Sequence, residues 1–353
     1  MNNINKLFDT NLNYIKKNRK TYFLRNIAKL TKFHINKSKK YKKILNFLKF
    51  NKKIIKIEDV PFIPSRLFKE IELKSIPNSM IFKTLTSSGT STGQLSKIYL
   101  DKENAVNQIK ALNKIMFSIL GSKRLPMLII DRDPKVEDRS TFNAKSAAIY
   151  GFSLFGRSHT FLLNKNNEIN YDLLNKFIKK FGDKKFFIFG FTSSIFEFLI
   201  TKLNNQLLKL KFKNGILLHG GGWKKMIDLK IDNVTFKKKL LSKLSLKKVY
   251  NYYGLIEQTG SIFLECQKCG HFVTSIFSDI LIRDKNFKLV NNGERGFIQL
   301  LSLLPTSYPG HSILTEDIGE IVKKNNCSCS KLGKQFIVYG RAEESEIRGC
   351  SDV

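Results

Sequence analysis

Over residues 1–57 apolar positions recur at helical spacing with no Pro or Gly between them, which predicts two or three basic helices, for example Thr21–Thr31 and Lys40–Phe50. Pro61 and Pro64 mark a linker over Glu58–Arg66. Short apolar runs then predict strands at Met80–Leu85, Lys97–Leu100, Pro126–Ile130, Lys185–Phe191, Gly215–Leu218 and Lys248–Tyr253. Helical spacing separates them: a helix N-capped by Asp101 and ending before Gly121, another over Asp172–Phe181 stopped by Gly182, and a third over Ser194–Leu203. Strands alternating with helices argue for an α/β fold with mixed, largely parallel sheets flanked by helices. From about residue 280 the pattern changes to strand and turn (Asp279–Arg283, Gly296–Leu303, Gly319–Val322, Gln335–Val338), predicting a β-rich lobe.

Composition adds that 353 residues with 42% hydrophobic and 12% aromatic content can bury a large core. The longest apolar runs, such as Leu125–Ile130 and Phe186–Phe191, are too short to span a bilayer, and Met1–Lys6 opens no signal-peptide core, so the expected location is the cytoplasm. The net charge of +33 is concentrated partly between Lys6 and Lys56, with 17 Lys/Arg and one acid, and partly over Lys202–Lys248. It reads either as solvated lysine faces or as a surface for peripheral contact with anionic membrane or an acidic partner. No base-reading motif accompanies it, so specific nucleic-acid binding is not expected.

The candidate chemistry begins at Thr86-Ser87-Ser88-Gly89-Thr90-Ser91-Thr92-Gly93, which follows a strand. Glycines let backbone N–H groups face an anion and hydroxyls add donors, so the loop suits a triphosphate, although a solvated turn has the same composition. It is no Walker A loop, since no Gly-Lys-Ser/Thr follows. Gly89–Gly93 also fits a nucleophile elbow, and His219-Gly220-Gly221-Gly222 an oxyanion-hole motif, but their order is reversed from that of a hydrolase and no helix follows Ser91. Tyr252-Tyr253-Gly254-Leu255-Ile256-Glu257 sets aromatic rings and a carboxylate at a strand's C-terminal end, where a ring can stack on a base and Glu257 can hold Mg²⁺. Asp317 could accept from ribose hydroxyls, and Arg341 could reach a phosphate. Each residue has an ordinary structural reading beside it. The five cysteines fall in the last quarter. Cys266-x-x-Cys269 and Cys327-x-Cys329, with His271 as a substitute, suit four-coordinate structural zinc or stand as unmetallated thiols.

In this order the motifs resemble the adenylate-forming superfamily of acyl-CoA ligases and luciferase-like enzymes. Within it the chain looks like the acyl-protein synthetase (LuxE-type) family, which is related to phenylacetate–CoA ligases. The resemblance covers roughly residues 60–353 and is carried by Ser87–Gly93 with Ser96–Asp101, Leu218–Lys225, Asn251–Gly254 with Glu257–Phe263, Ser307–Gly319 and Glu346–Asp352. After the basic helical region 1–57 it implies an adenylate-forming large domain 58–340 and a hinge with a Cys-containing tail at 341–353, the C-terminal small domain being truncated. It also implies ATP-dependent activation of a fatty or related carboxylic acid, followed by transfer of the acyl group to a protein thiol. Ser87, Ser88, Gly89, Thr90, Ser91, Thr92 and Gly93 would hold the phosphates. Gly221, Gly222, Tyr253 and Gly254 would line the adenine and acyl slot, with Tyr253 stacked on the base. Glu257 would hold Mg²⁺, Asp317 the ribose hydroxyls, and Arg341 the ribose or a phosphate. Cys350 matches the family's proposed acyl acceptor, its thiolate favoured by neighbouring Arg348. The implied partner is an acyl-acceptor protein such as a reductase or carrier. The superfamily's Pro-Lys is missing after the loop, which leaves Lys97 without a role. A phenylacetate-type CoA ligase and a catalytically degenerate binding scaffold are the alternatives.

Overall fold

The structure is a computed structural model that describes Phe8 and residues 18–87, 95–134, 144–203, 210–221, 231–323, 327 and 333–342. The chain forms two compact units, Met1–Ile115 with Gly254–Glu346, and Met116–Tyr253 with Ile347–Val353.

The first N-terminal helix is longer and the second shorter than spacing predicts. Helix α1 runs over Arg19–Lys37, and α2 over Lys39–Phe47 after Ser38, whose hydroxyl accepts from Tyr41 N at 3.4 Å. The chain turns at Lys49, with φ 53°, so the predicted continuation to Phe50 is a cap and not helix. The two-residue strand β1 (Ile63–Pro64) and the short helix α3 (Leu67–Glu70) follow. Strands β2 (Lys83–Thr86) and β3 (Lys97–Leu100) pair as an antiparallel hairpin. Helix α4 (Lys102–Leu120) starts as expected at Asp101, whose carboxylate accepts from Asn104 N at 2.7 Å.

The second unit is a parallel α/β layer. Its elements are β4 (Leu125–Ile129), α5 (Ala144–Ser153), β5 (Gly156–Phe161), α6 (Tyr171–Phe181), β6 (Phe186–Phe191), a wide-turned helical segment Ile195–Lys202, β7 (Gly215–Gly220), α7 (Asn233–Leu244) and β8 (Lys248–Tyr253). Strands order β5-β4-β6-β7-β8, every pairing parallel. All six residues of β6 are buried, the signature of a strand covered on both faces. Strand β5 was not anticipated, because it sits at the edge of this order and its sequence Gly-Arg-Ser-His-Thr-Phe carries the exposed polar character of that position. The core gathers Leu128, Phe177, Phe186, Ile188, Leu217 and Phe236.

After Tyr253 the chain becomes antiparallel: β9 (Phe263–Glu265), β10 (Phe272–Val273), β11 (Ser278–Arg283), β12 (Gly296–Ser302), β13 (Ser312–Ile321) and β14 (Gln335–Arg341). Within the first unit they order β11-β12-β13-β14-β10-β9, and β1 adds in parallel to β13. The strand predicted at Gly319–Val322 is the end of the ten-residue β13. Helix α1 packs Phe23 and Ile27 with Phe277, Leu281 and Leu301 of this lobe, while Tyr41 and Leu45 of α2 pack with Ile98, Tyr308 and Ile313. The basic N-terminal helices therefore spend their apolar faces on the core of the first unit.

Candidate functional site

Glu257 sits in a single 3₁₀ turn, Ile256–Gln258, and is buried. Burial pushes its carboxyl above the ordinary range. The neighbouring Ser96 hydroxyl and the positive charges of Lys69 and Arg341 act in the opposite direction. Three backbone acceptors fix the turn. Gln258 Nε2 donates to Leu300 O at 3.1 Å and to Gly310 O at 2.9 Å, and Tyr308 Oη donates to Glu257 O at 2.9 Å. Gly310 has no room for a side chain, because a Cβ there would stand 2.7 Å from Glu257 O.

Ser96 links this carboxylate to the hydroxyl-rich loop. Ser96 N donates to Ser87 Oγ at 2.9 Å, and Ser87 N donates to Ser96 O at 3.1 Å, closing the base of the β2–β3 hairpin. Ser87 is thus placed, whereas Ser88, Gly89, Thr90, Ser91, Thr92 and Gly93 lie outside the described residues. Sequence reasoning gave no role to Ser96 or Lys69. Lys69 stands in α3 among no motif, and only the fold brings its charge to Glu257.

Asp317 and Arg341 face one another across β13 and β14. The ladder shifts register between Ile318 and Gly319, which re-aims the end of each strand. Thr315 Oγ1 donates to Ile298 O at 3.0 Å and accepts from Asp317 N at 3.1 Å, fixing the approach of Asp317. Arg341 Nη1 lies 3.7 Å from Glu316 Oε2, both side chains about one-third exposed. Ser87, Glu257, Asp317 and Arg341, predicted from separate motifs, lie in the same unit, where Asp317 pairs with Arg341 across the ladder and the charge of Arg341 acts on Glu257.

In the second unit, Gly221 and Tyr253 stand at the C-terminal ends of parallel strands β7 and β8, the edge at which such sheets bind ligands. Gly221 has φ 63°, and among the described residues a Cβ there would meet only Phe191, at 3.5 Å. Tyr252 beside Tyr253 has its ring 5.0 Å from Phe152. His219, buried in β7, shares a 2.9 Å hydrogen bond with Thr192, and burial holds its imidazole down to about 3. It is a neutral packing residue. Gly254 opens the next segment, 3.3 Å from Ile262 at its Cβ position, and Gly222 lies outside the described residues.

The sulfurs of Cys266, Cys269 and Cys327 all lie within 4.8 Å of one another, with Cys266 and Cys327 at 3.7 Å. Sulfurs 2.3 Å from a tetrahedral zinc ion stand about 3.8 Å apart, so the spacing fits a metal and is far too long for a disulfide. Backbone bonds Cys266 N to His271 O and Gly270 N to Cys266 O, both 2.8 Å, wrap the Cys-x-x-Cys turn around Gly270, whose φ is 74°. Burial pushes the Cys269 thiol up. His271 Nδ1 lies 3.4 Å from Gln335 Oε1 and is not one of the clustered ligands. Cys329 and Cys350 lie outside the described residues.

Residues 4–353 match the family described as acyl-protein synthetase, LuxE. The chain belongs to that family. A curated relative, the long-chain-fatty-acid–luciferin-component ligase of Aliivibrio fischeri, is 25% identical over 90% of this chain and 84% of its own. A crystal structure of an open conformation of 2-hydroxyisobutyryl-CoA ligase, in complex with 2-HIB-AMP and CoA, superposes with TM-score 0.69 at 13% identity, over 92% of this chain and 70% of that one. ATP-bound MatB from Rhodopseudomonas palustris superposes with TM-score 0.50 at 13% identity, over 76% and 49%. At those identities the likeness is one of fold, that of the adenylate-forming ligases. The family member is accordingly an ATP-dependent ligase, and acid activation with ligation is its chemistry. Among the described residues no helix is long and apolar enough to cross a membrane.

Proposed function

We propose that this chain activates a fatty carboxylic acid with ATP and passes the acyl group to a cysteine thiol, Cys350, and thence to an acceptor protein. The observation that carries the reading is the buried Glu257 beside Ser96, at the base of the Ser/Thr/Gly loop, with Arg341 acting on the same carboxylate.

In the first step a substrate carboxylate oxygen attacks the α-phosphorus of ATP. The bond to the bridging oxygen breaks, and pyrophosphate leaves with that electron pair. Backbone N–H groups and hydroxyls of Ser87–Gly93 would cradle the phosphates. Magnesium, held by Glu257, would neutralise charge on the phosphate oxygens. Burial disfavours the charged carboxylate, and Ser96, Lys69 and Arg341 offset that cost, keeping Glu257 able to ligate. Arg341, partly exposed, would contact the ribose or a phosphate, and Asp317 would accept from the ribose hydroxyls. Gly221 would leave space for a base that Tyr253 would stack against, with Gly222 and Gly254 lining the same slot. In the second step the Cys350 thiolate attacks the acyl carbon, the carbon–oxygen bond to AMP breaks, and the thiol proton goes to solvent.

Cys266, Cys269 and Cys327 would hold a structural zinc ion, with Cys329 as fourth ligand, and the 3.7 Å spacing of Cys266 and Cys327 supports it. The lysine-rich N-terminal region supports a peripheral contact with anionic membrane, where a fatty acid substrate resides.

ATP–pyrophosphate exchange over a panel of acids, followed by intact mass, tests the reading. Exchange with a long-chain acid and a mass increase lost in Cys350→Ser are expected. No exchange with any acid would leave a binding scaffold; exchange and acyl-CoA formation indifferent to Cys350→Ser would leave a CoA ligase.

A further inference from the structure

A buried polar relay in the first unit takes no part in the chemistry above. Thr31 and His34 lie on α1 about one turn apart, and His311 precedes β13; all three are fully buried. Thr31 donates its single hydroxyl hydrogen to Ile27 O at 2.9 Å, so towards His311 Nε2, also at 2.9 Å, it can only accept. His34 Nε2 lies 3.0 Å from Pro305 O, a pure acceptor, so that nitrogen carries its hydrogen and Nδ1 accepts from the Ser75 hydroxyl at 2.7 Å. Both imidazoles are thereby fixed as neutral Nε2–H tautomers, stacked with centroids 4.9 Å apart. Ser75 N closes the grip by donating to Ser307 O at 2.8 Å.

The loop Pro305–His311 is thus held from the side of α1 at Pro305, Ser307 and His311. Its other side holds the carboxylate turn, through Tyr308 Oη to Glu257 O and through Gly310 O to Gln258 Nε2, both at 2.9 Å. Apolar packing is non-directional and would let such a loop slide, whereas hydrogen bonds to fixed tautomers set its direction.

We propose that Thr31 and His34 are positioning residues for Glu257: through the loop Pro305–His311 they set where its carboxylate meets the magnesium–nucleotide complex. The N-terminal helix is then a working part of the site and not a detachable basic arm. This rests on the reading of Glu257 as the magnesium ligand.

The test uses the full chain with Thr31→Val, His34→Leu, His34→Gln and Glu257→Gln. Amide hydrogen exchange is followed in the ligand-free protein at 255–261 and, as a remote control, at 186–191. Mn²⁺ affinity in the presence of ATP is read by electron paramagnetic resonance. Thr31→Val and His34→Leu are expected to speed amide exchange at 255–261 and leave 186–191 unchanged. They are expected to weaken Mn²⁺ binding roughly ten- to a hundredfold, the range for residues that orient a metal ligand. His34→Gln, whose amide can donate to Pro305 O, should recover most of both. Unchanged exchange at 255–261, or unmoved Mn²⁺ affinity in variants alongside an affected Glu257→Gln, would overturn the positioning role. Unmoved affinity in Glu257→Gln would overturn the magnesium reading and this proposal with it. Should His34→Leu fail to fold, Thr31→Val and Tyr308→Phe decide. Non-additive effects on Mn²⁺ affinity support the relay, and additive ones overturn it.

Discussion

The hydroxyl of Tyr308 donates to the backbone carbonyl of Glu257 at 2.9 Å, and both residues are buried. The side chain of one loop thus fixes the backbone from which the candidate magnesium ligand projects. Tyr308→Phe leaves Glu257 O without that donor, and an unsatisfied buried acceptor costs about 1–3 kcal/mol. Chemical denaturation should show a loss of that size. A loss under 0.5 kcal/mol, on the order expected of surface changes, would mean that the bond does little.

Glu257→Gln separates function from stability. Burial raises the carboxyl's folded pKa above its unfolded value, so native protein without ligand is destabilised where the group must ionise, at pH above that pKa. The neutral amide removes this cost. At neutral pH and without ligand, its thermal midpoint should rise by roughly 1–3 °C, while ATP–pyrophosphate exchange is lost. A lowered midpoint would show the carboxylate to be a net structural asset.

Three buried histidines make the fold acid-sensitive. Burial lowers His34 and His219 to about 3 and takes His311 well below its ordinary value, with His34 adding to the effect on His311. Unfolded histidines titrate near 6.5, so below that pH the unfolded chain binds more protons and stability falls as pH falls. Between pH 7.5 and 5.5 each histidine should subtract about 1.4 kcal/mol. The lowered carboxyls of Asp59, Glu72 and Asp232 titrate below this window, and the series is run in Glu257→Gln so that the raised carboxyl, which acts in the opposite sense, does not mask it. Denaturation midpoints that do not move over the window would contradict neutral burial.

Metal removal should act on the antiparallel lobe. Purified protein is expected to contain one zinc per chain, and Cys269→Ser or prolonged chelation should lower the thermal midpoint. Because the cluster joins the segment after β9 to Cys327, amide exchange should quicken at Phe263–Val273 before Phe186–Phe191. Metal-free protein of unchanged midpoint would leave these cysteines as plain thiols.

The parallel strands were legible because β6 and β7 are buried on both faces and read as unbroken apolar runs. Strand β5 was not, since an edge strand has no such run. Cys266-x-x-Cys269 and Cys327-x-Cys329 announced two ligand pairs by spacing alone, and the fold brought Cys327 to Cys266 across 61 positions, while it turned His271 towards Gln335.

By itself the sequence determined the α/β class and the β-rich lobe and nominated candidate site residues, because local periodicity and short motifs are properties of neighbouring positions. It could not determine that Ser96, Lys69 and Arg341 act on one buried carboxylate, or that Thr31 and His34 reach the loop beneath it. Those are contacts between distant positions, with no periodicity to record them. Only burial in a common core decided them, by making each polar group find a partner there.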